Sequence, residues 1–255
     1  MRRNQQHGFL FLCRYWSCSA LGMCVAWLAI IAPYTPEVNS VRLIKIKACG
    51  NRPEVVLILA HGAGAPADSP FMEVLAKALG QEGIGSVRFE FPYMQKRRLD
   101  GKKRPPDRQP LLLDHFSSLV DEIRGELGER TRLLVGGKSM GGRMASILAS
   151  QRNGIDGVAC FGFPFHPPGK LDRWRTGHFH ELKLPMLVLQ GTRDPFGKPA
   201  EMAGQEKELE FVRLRWLEGG DHDFQPLKSQ QLTQKDLIER AARETRLFVD
   251  ECLSS

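Results

Sequence analysis

The chain has 255 residues, 42% of them hydrophobic and 25% charged; that is room for one sizeable core, in a composition that excludes a disordered or fibrous protein. Its net charge is +7. Between positions 96 and 108, however, seven Lys and Arg stand against only Asp100 and Asp107, so a local basic segment carries most of the excess and nucleic acid is not an expected partner.

Residues 15–34 contain no charge, with Arg2, Arg3 and Arg14 before them and Glu37 after. About twenty apolar residues span a bilayer, so one reading of the 1–40 extension is a membrane anchor with the following domain outside. A second is a translation start near Val41, with a cytoplasmic domain. A third is a cleaved signal, although no small-x-small site follows the apolar run. Cys13, Cys18 and Cys24 fall in this extension, while Cys49, Cys160 and Cys252 are dispersed without metal-ligand spacing. The dispersed set reads as small buried hydrophobes in a reducing compartment.

From 41 to 255 the pattern is that of one domain. Residues 41–47, VRLIKIK, alternate as in an edge strand, and 55–60, VVLILA, are wholly apolar as in a strand covered on both faces. Ser69 and Pro70 open a helix through Leu79, closed by Gly80 or Gly83. Residues 87–91 form a strand, and the basic segment follows as a loop. A helix over 110–127 precedes a strand at 132–135, and helix formers fill 140–150. Strands at 157–161, 186–189 and 211–216 and an amphipathic helix over 232–248 complete the chain. Such alternation predicts an α/β fold: a mostly parallel sheet with helices on both faces and its ligand site beyond the carboxyl ends of the strands.

Every chemical motif falls at those ends. Gly137-Lys138-Ser139-Met140-Gly141 lies directly between a strand and a helix. A turn this sharp leaves no room for side chains two residues either side of the serine, and it lifts the hydroxyl clear of the sheet. The same residues imitate the end of a phosphate-binding loop, but that motif needs glycine at 132, which is Arg132. A serine hydroxyl needs a base. His222, in Gly219-Gly220-Asp221-His222-Asp223, is the candidate. Asp194, just past the 186–189 strand, is the acid that would orient it. Asp221 and Asp223 read as solvated or loop-capping groups. His115 reads as surface or core. His166, His178 and His180 share a polar loop without trusted metal spacing, so no metal or other cofactor is expected. His61 opens His61-Gly62-Ala63-Gly64 and reads as a structural holder of that loop. The N–H groups of Met140 and Ala63 are the expected oxyanion donors, each worth about 3 kcal/mol.

With LILAHGAGAP, FEFPYM and its following RPPD segment, GGKSMGGR and GGDHDF in place, the chain resembles the α/β-hydrolase superfamily over 41–255. More narrowly, it is similar to a small subfamily akin to dienelactone hydrolases, with a testis-expressed protein and an NSL chromatin-complex subunit among its relatives. Dienelactone hydrolases use cysteine where this chain has Ser139, so their substrate does not carry over. The resemblance implies little or no lid and a serine hydrolase acting on a small carboxylic ester or related acyl compound. A non-catalytic scaffold and a peptidase stay open beside it. Arg97, Arg98 and Arg104 are expected to draw anionic substrates to the mouth of the site.

Overall fold

The computed structural model describes residues 43–46, 55–205, 207, 209–210 and 212–253; the 1–40 extension and its three readings lie outside them. Among the described residues no helix is long and apolar enough to cross a membrane.

Seven strands form one sheet in the order β1-β3-β2-β4-β5-β6-β7. They are β1 (Ile44–Ile46), β2 (Val55–Ala60), β3 (Gly85–Phe89), β4 (Arg132–Lys138), β5 (Gly157–Phe161), β6 (Met186–Gly191) and β7 (Val212–Leu217). Only β1 is antiparallel, at the edge beside β3. The other five pairings are parallel. The helices are α1 (Pro70–Gln81), α2 (Pro92–Asp100), α3 (Gln109–Glu126), α4 (Met140–Gln151), α5 (Pro199–Met202) and α6 (Gln234–Leu253).

The unbroken apolar runs reflect burial on both faces. Leu57 and Leu59 of β2 join Leu75 and Leu79 of α1 and Ile238 and Ala242 of α6 in one core. Ile58 and Ala60 join Phe116 and Val120 of α3 and Met144 and Leu148 of α4 in the other. Apolar burial on this scale, worth roughly 25 cal/mol per Å2, is the main term holding the layers together.

The sheet grows one way from β2 to β3 and the other way from β2 to β4, so the chain reverses direction across β2 and β4. A crevice opens at such a switch point beyond the strand ends. It brings the loop after β2 and the turn after β4 side by side.

Two expectations change. The strand ending at 91 stops at Phe89, because the Phe91 N–H turns to donate to His61 Nε2 at 3.2 Å. The basic segment expected as a loop is helical in its first half, as α2. Pro92 occupies the first turn and Gly101, at φ 67°, closes the last. Only Tyr93 and Met94 of α2 are buried, too few to print a helical period on the sequence.

Three histidines, His61 buried and His115 and His178 half-buried, pin connections. His61 Nε2 accepts from Phe91 as above, His115 Nε2 donates to the Glu90 carbonyl at 3.2 Å, and His178 Nε2 lies 2.8 Å from Ser146 Oγ. Burial is the main force lowering the pKa of each, that of His178 to about 4. An unfolded chain therefore takes up protons below about pH 6.5 that the folded chain refuses, so stability falls as pH drops from 6.5 towards 4. Urea midpoints should decline over that window, and His178→Gln should flatten part of the decline.

Candidate active site

Ser139 sits between β4 and α4 with φ 53° and ψ −115°, a conformation that a non-glycine residue adopts only under constraint. Its N–H donates to the Phe161 carbonyl at 3.1 Å. A Cβ on Gly137 or on Gly141 would stand 2.4 Å from the Ala60 carbonyl oxygen. The turn therefore closes against the end of β2 only with glycine at both places.

Three loops from the carboxyl end converge on this serine. His222 Nε2 lies 2.9 Å from Ser139 Oγ, and His222 Nδ1 lies 2.7 Å from Asp194 Oδ2. Asp194 is fully buried. Its carboxylate accepts the Nδ1 proton, which leaves the Nε2 lone pair facing the hydroxyl. Phe196 N–H donates to Asp194 Oδ1 and Gln190 Nε2 donates to Oδ2, both at 2.9 Å. Gln190 is itself held by the Phe163 N–H and carbonyl at 2.8 and 3.1 Å. The Phe196 ring lies 4.4 Å from the imidazole, centroid to centroid. With Asp194 fixed by two further donors, the His222 ring is held in one tautomer and one orientation.

The loop after β2 forms the remaining wall. A Cβ on Gly62 would stand 3.9 Å from Ser139 Cβ. His61 Nδ1 donates to the Gly62 carbonyl at 2.7 Å, and the Tyr93 hydroxyl donates to the Gly62 and Ala63 carbonyls at 3.4 and 3.0 Å. Burial pushes the Tyr93 phenol up, so it stays a donor. In the trans peptide between residues 62 and 63 the N–H points opposite to the tethered carbonyl. Met140 opens α4, so its N–H has no acceptor within the helix.

Asp221 caps its own loop, accepting from the Asp223 and Gln225 N–H groups at 2.9 Å each. Asp223 does more than the sequence suggested, because its Oδ1 lies 3.2 Å from Lys138 Nζ. Lys138 is buried, its ammonium 5.4 Å above the Phe71 ring, and burial lowers its pKa. Sequence reasoning passed over this lysine, and also over Tyr93 and Gln190. A lysine directly after the apolar LLVGG run and directly before Ser139 was the available signal. His166, His178 and His180 have separate partners, Glu201, Ser146 and Glu181.

The three arginines expected at the mouth, Arg97, Arg98 and Arg104, diverge. Arg98 pairs with Glu90 and Asp68, and Arg104 with Asp100. Among the described residues Arg97 meets the Gly64 carbonyl, 3.5 Å from Nη1, which sets it beside the loop after β2.

Residues 53–250 match the model of a family described as alpha/beta hydrolase domain. The chain belongs to the α/β-hydrolase family. Solved structures share the fold at low identity. A dienelactone hydrolase from Anabaena variabilis is 19% identical, with a TM-score of 0.63 over 86% of this chain and 95% of that one. Est1E from Butyrivibrio proteoclasticus is 14% identical, with a TM-score of 0.61 over 83% and 95%. A serine hydrolase without a lid from Xanthomonas campestris is 18% identical, with a TM-score of 0.60 over 88% and 100%. For this α/β-hydrolase, family membership supports hydrolysis as the general activity.

The contact between the turn and β2 yields a direct test. Gly141→Ala places a methyl 2.4 Å from one backbone carbonyl and 2.7 Å from the next, that of His61. The variant should lose about 1–3 kcal/mol or more in urea unfolding.

Proposed function

We propose that this α/β-hydrolase cleaves small carboxylic esters through an acyl-enzyme on Ser139. The observation that carries this reading is the unbroken hydrogen-bond chain from Ser139 Oγ through His222 to Asp194. In the proposed reaction His222 Nε2 takes the hydroxyl proton as Ser139 Oγ attacks the ester carbon. The buried Asp194 stabilises the imidazolium without itself taking the proton. The Met140 and Ala63 N–H groups receive the charge that develops on the carbonyl oxygen. His222 then protonates the departing alkoxide. Water, activated by the same imidazole, releases the acid and restores the serine. Proton transfers and acyl transfer alone balance the reaction.

A scaffold that had abandoned chemistry would have no use for a strained serine or for a fully buried carboxylate aimed at a histidine. Both cost stability.

A fluorophosphonate probe should label the native protein on Ser139, and Ser139→Ala should abolish the label. His222→Ala and Asp194→Asn should slow labelling by about 10^3-fold or more. Folded protein that stays unlabelled would return the scaffold reading. A panel of matched esters and anilides, followed by product release, tests the preference for ester over amide.

In this reading the basic segment steers anionic esters to the mouth chiefly through Arg97, because carboxylates pair with Arg98 and Arg104. Salt screens such steering over about 8–10 Å at physiological strength. KM for an acidic ester should therefore rise with salt while KM for its neutral analogue stays flat. Equal salt dependence for the two would remove the steering role.

A further inference from the structure

Most arginines with a buried or half-buried guanidinium in this fold have a carboxylate: Arg98 has Glu90, Arg124 has Asp156, Arg152 has Asp121 and Arg246 has Asp250. Arg143 and Arg175 do not. Among the described residues, neither makes an ion pair.

Arg143 stands one turn into α4. Its backbone N–H donates to the Ser139 carbonyl at 3.1 Å, so it rises directly from the nucleophile turn. Its Nη2 reaches Gln109 Oε1, in the first turn of α3, at a long 3.4 Å. Its Nε is buried with no hydrogen-bond partner. Arg175 lies on the 162–185 connection that leaves the end of β5. Its N–H donates to the Phe165 carbonyl at 2.8 Å and its Nη1 to the Pro164 carbonyl at 3.5 Å.

Burial and then the charge of Arg175 lower the pKa of Arg143, and burial lowers that of Arg175. The adjoining titratable group is His178, bonded to Ser146 of α4 and held neutral near pH 7 by burial, Arg143 and His180. It supplies no counter-charge.

A partly buried guanidinium without an anion is costly, and among the described residues only the Gln109 amide oxygen and the Pro164 carbonyl meet these two groups. The N-terminus of α3, the first turn of α4 and the connection after β5 all lie at the carboxyl end of the sheet, where the proposed reaction takes place. We infer that Arg143 and Arg175 form a carboxylate-binding site for the far end of an acidic acyl chain, so that the preferred substrates are half-esters of dicarboxylic acids. The inference rests on the ester-hydrolase reading. Guanidinium forks match a planar carboxylate. One helical turn, about 5.4 Å, separates Arg143 from the nucleophile along α4, which suits a spacer of a few methylenes.

The probes are the 4-methylumbelliferyl half-ester of adipic acid and the matching hexanoate ester. The readout is the ratio of their kcat/KM values in the native chain, Arg143→Gln, Arg175→Gln and Arg97→Gln. Damage to the fold lowers both esters together and leaves the ratio in place. The native ratio should favour the acidic ester. It should fall roughly tenfold to a hundredfold in Arg143→Gln and in Arg175→Gln, the loss expected for one charged hydrogen-bond partner. A ratio unchanged in both variants overturns the site. A fall confined to Arg97→Gln overturns it too, by placing the anion on α2.

Binding separates this inference from the hydrolase reading. Monomethyl adipate titrated into Ser139→Ala by calorimetry should bind at least tenfold more weakly when Arg143→Gln is added. Binding lost in this way, with neither ester cleaved by the native chain, keeps the anion site and removes the hydrolase. Cleavage of hexanoate without such binding does the reverse.

Discussion

The carbonyl oxygen of Ala60 is the fixed point of this structure. It ends β2, and it lies where the missing side chains of Gly137 and Gly141 would otherwise stand. That single close approach holds the β4–α4 turn against the neighbouring strand and forces Ser139 into its strained backbone. Packing sets the turn, and the turn presents the hydroxyl. The strain persists because the two cores either side of the sheet over-determine it.

Around this point, long-range polar contacts replace what the local chain cannot supply. Asp194 is unexposed, yet its two oxygens meet Gln190, Phe196 and His222. A carboxylate so placed is tolerable only because each partner is itself anchored. The loop that carries His222 gains a second tie through Asp223 and the buried Lys138. Lys138 precedes Ser139 directly, so the turn that presents the serine also holds the loop that presents the histidine. A close approach of the same kind brings the Asp194 and His222 loops together. A Cβ on Gly191 would stand 2.3 Å from the Gly220 carbonyl.

Charge divides into two populations. Arg98, Arg104, Arg124 and Arg152 are neutralised within the chain. Arg143 and Arg175 retain their charge where several loops meet. The sequence shows a dense basic run at 96–108, which predicts anion recognition there. Folding spends much of that run on Glu90, Asp68 and Asp100, and the pair that lacks a carboxylate among the described residues arises outside it, from two positions 32 apart (175 minus 143).

Some of this was determined by the sequence alone. Wholly apolar runs such as VVLILA can be satisfied only by burial on both faces, so a parallel sheet between helix layers followed from composition and period. The G-x-S-x-G spacing is a steric requirement written in adjacent residues, and the order Ser139, Asp194, His222 needs only the strand count to place each in its loop. The tertiary structure decided the rest. The α2 helix carries almost no apolar stripe, so periodicity could not reveal it. The tautomer of His61, the tether on Tyr93, the pairing of Lys138 with Asp223 and the isolation of Arg143 and Arg175 depend on residues far apart in the chain. Whether a charge is neutralised is a property of what folding brings within about 4 Å of it, and spacing along the sequence does not encode that distance.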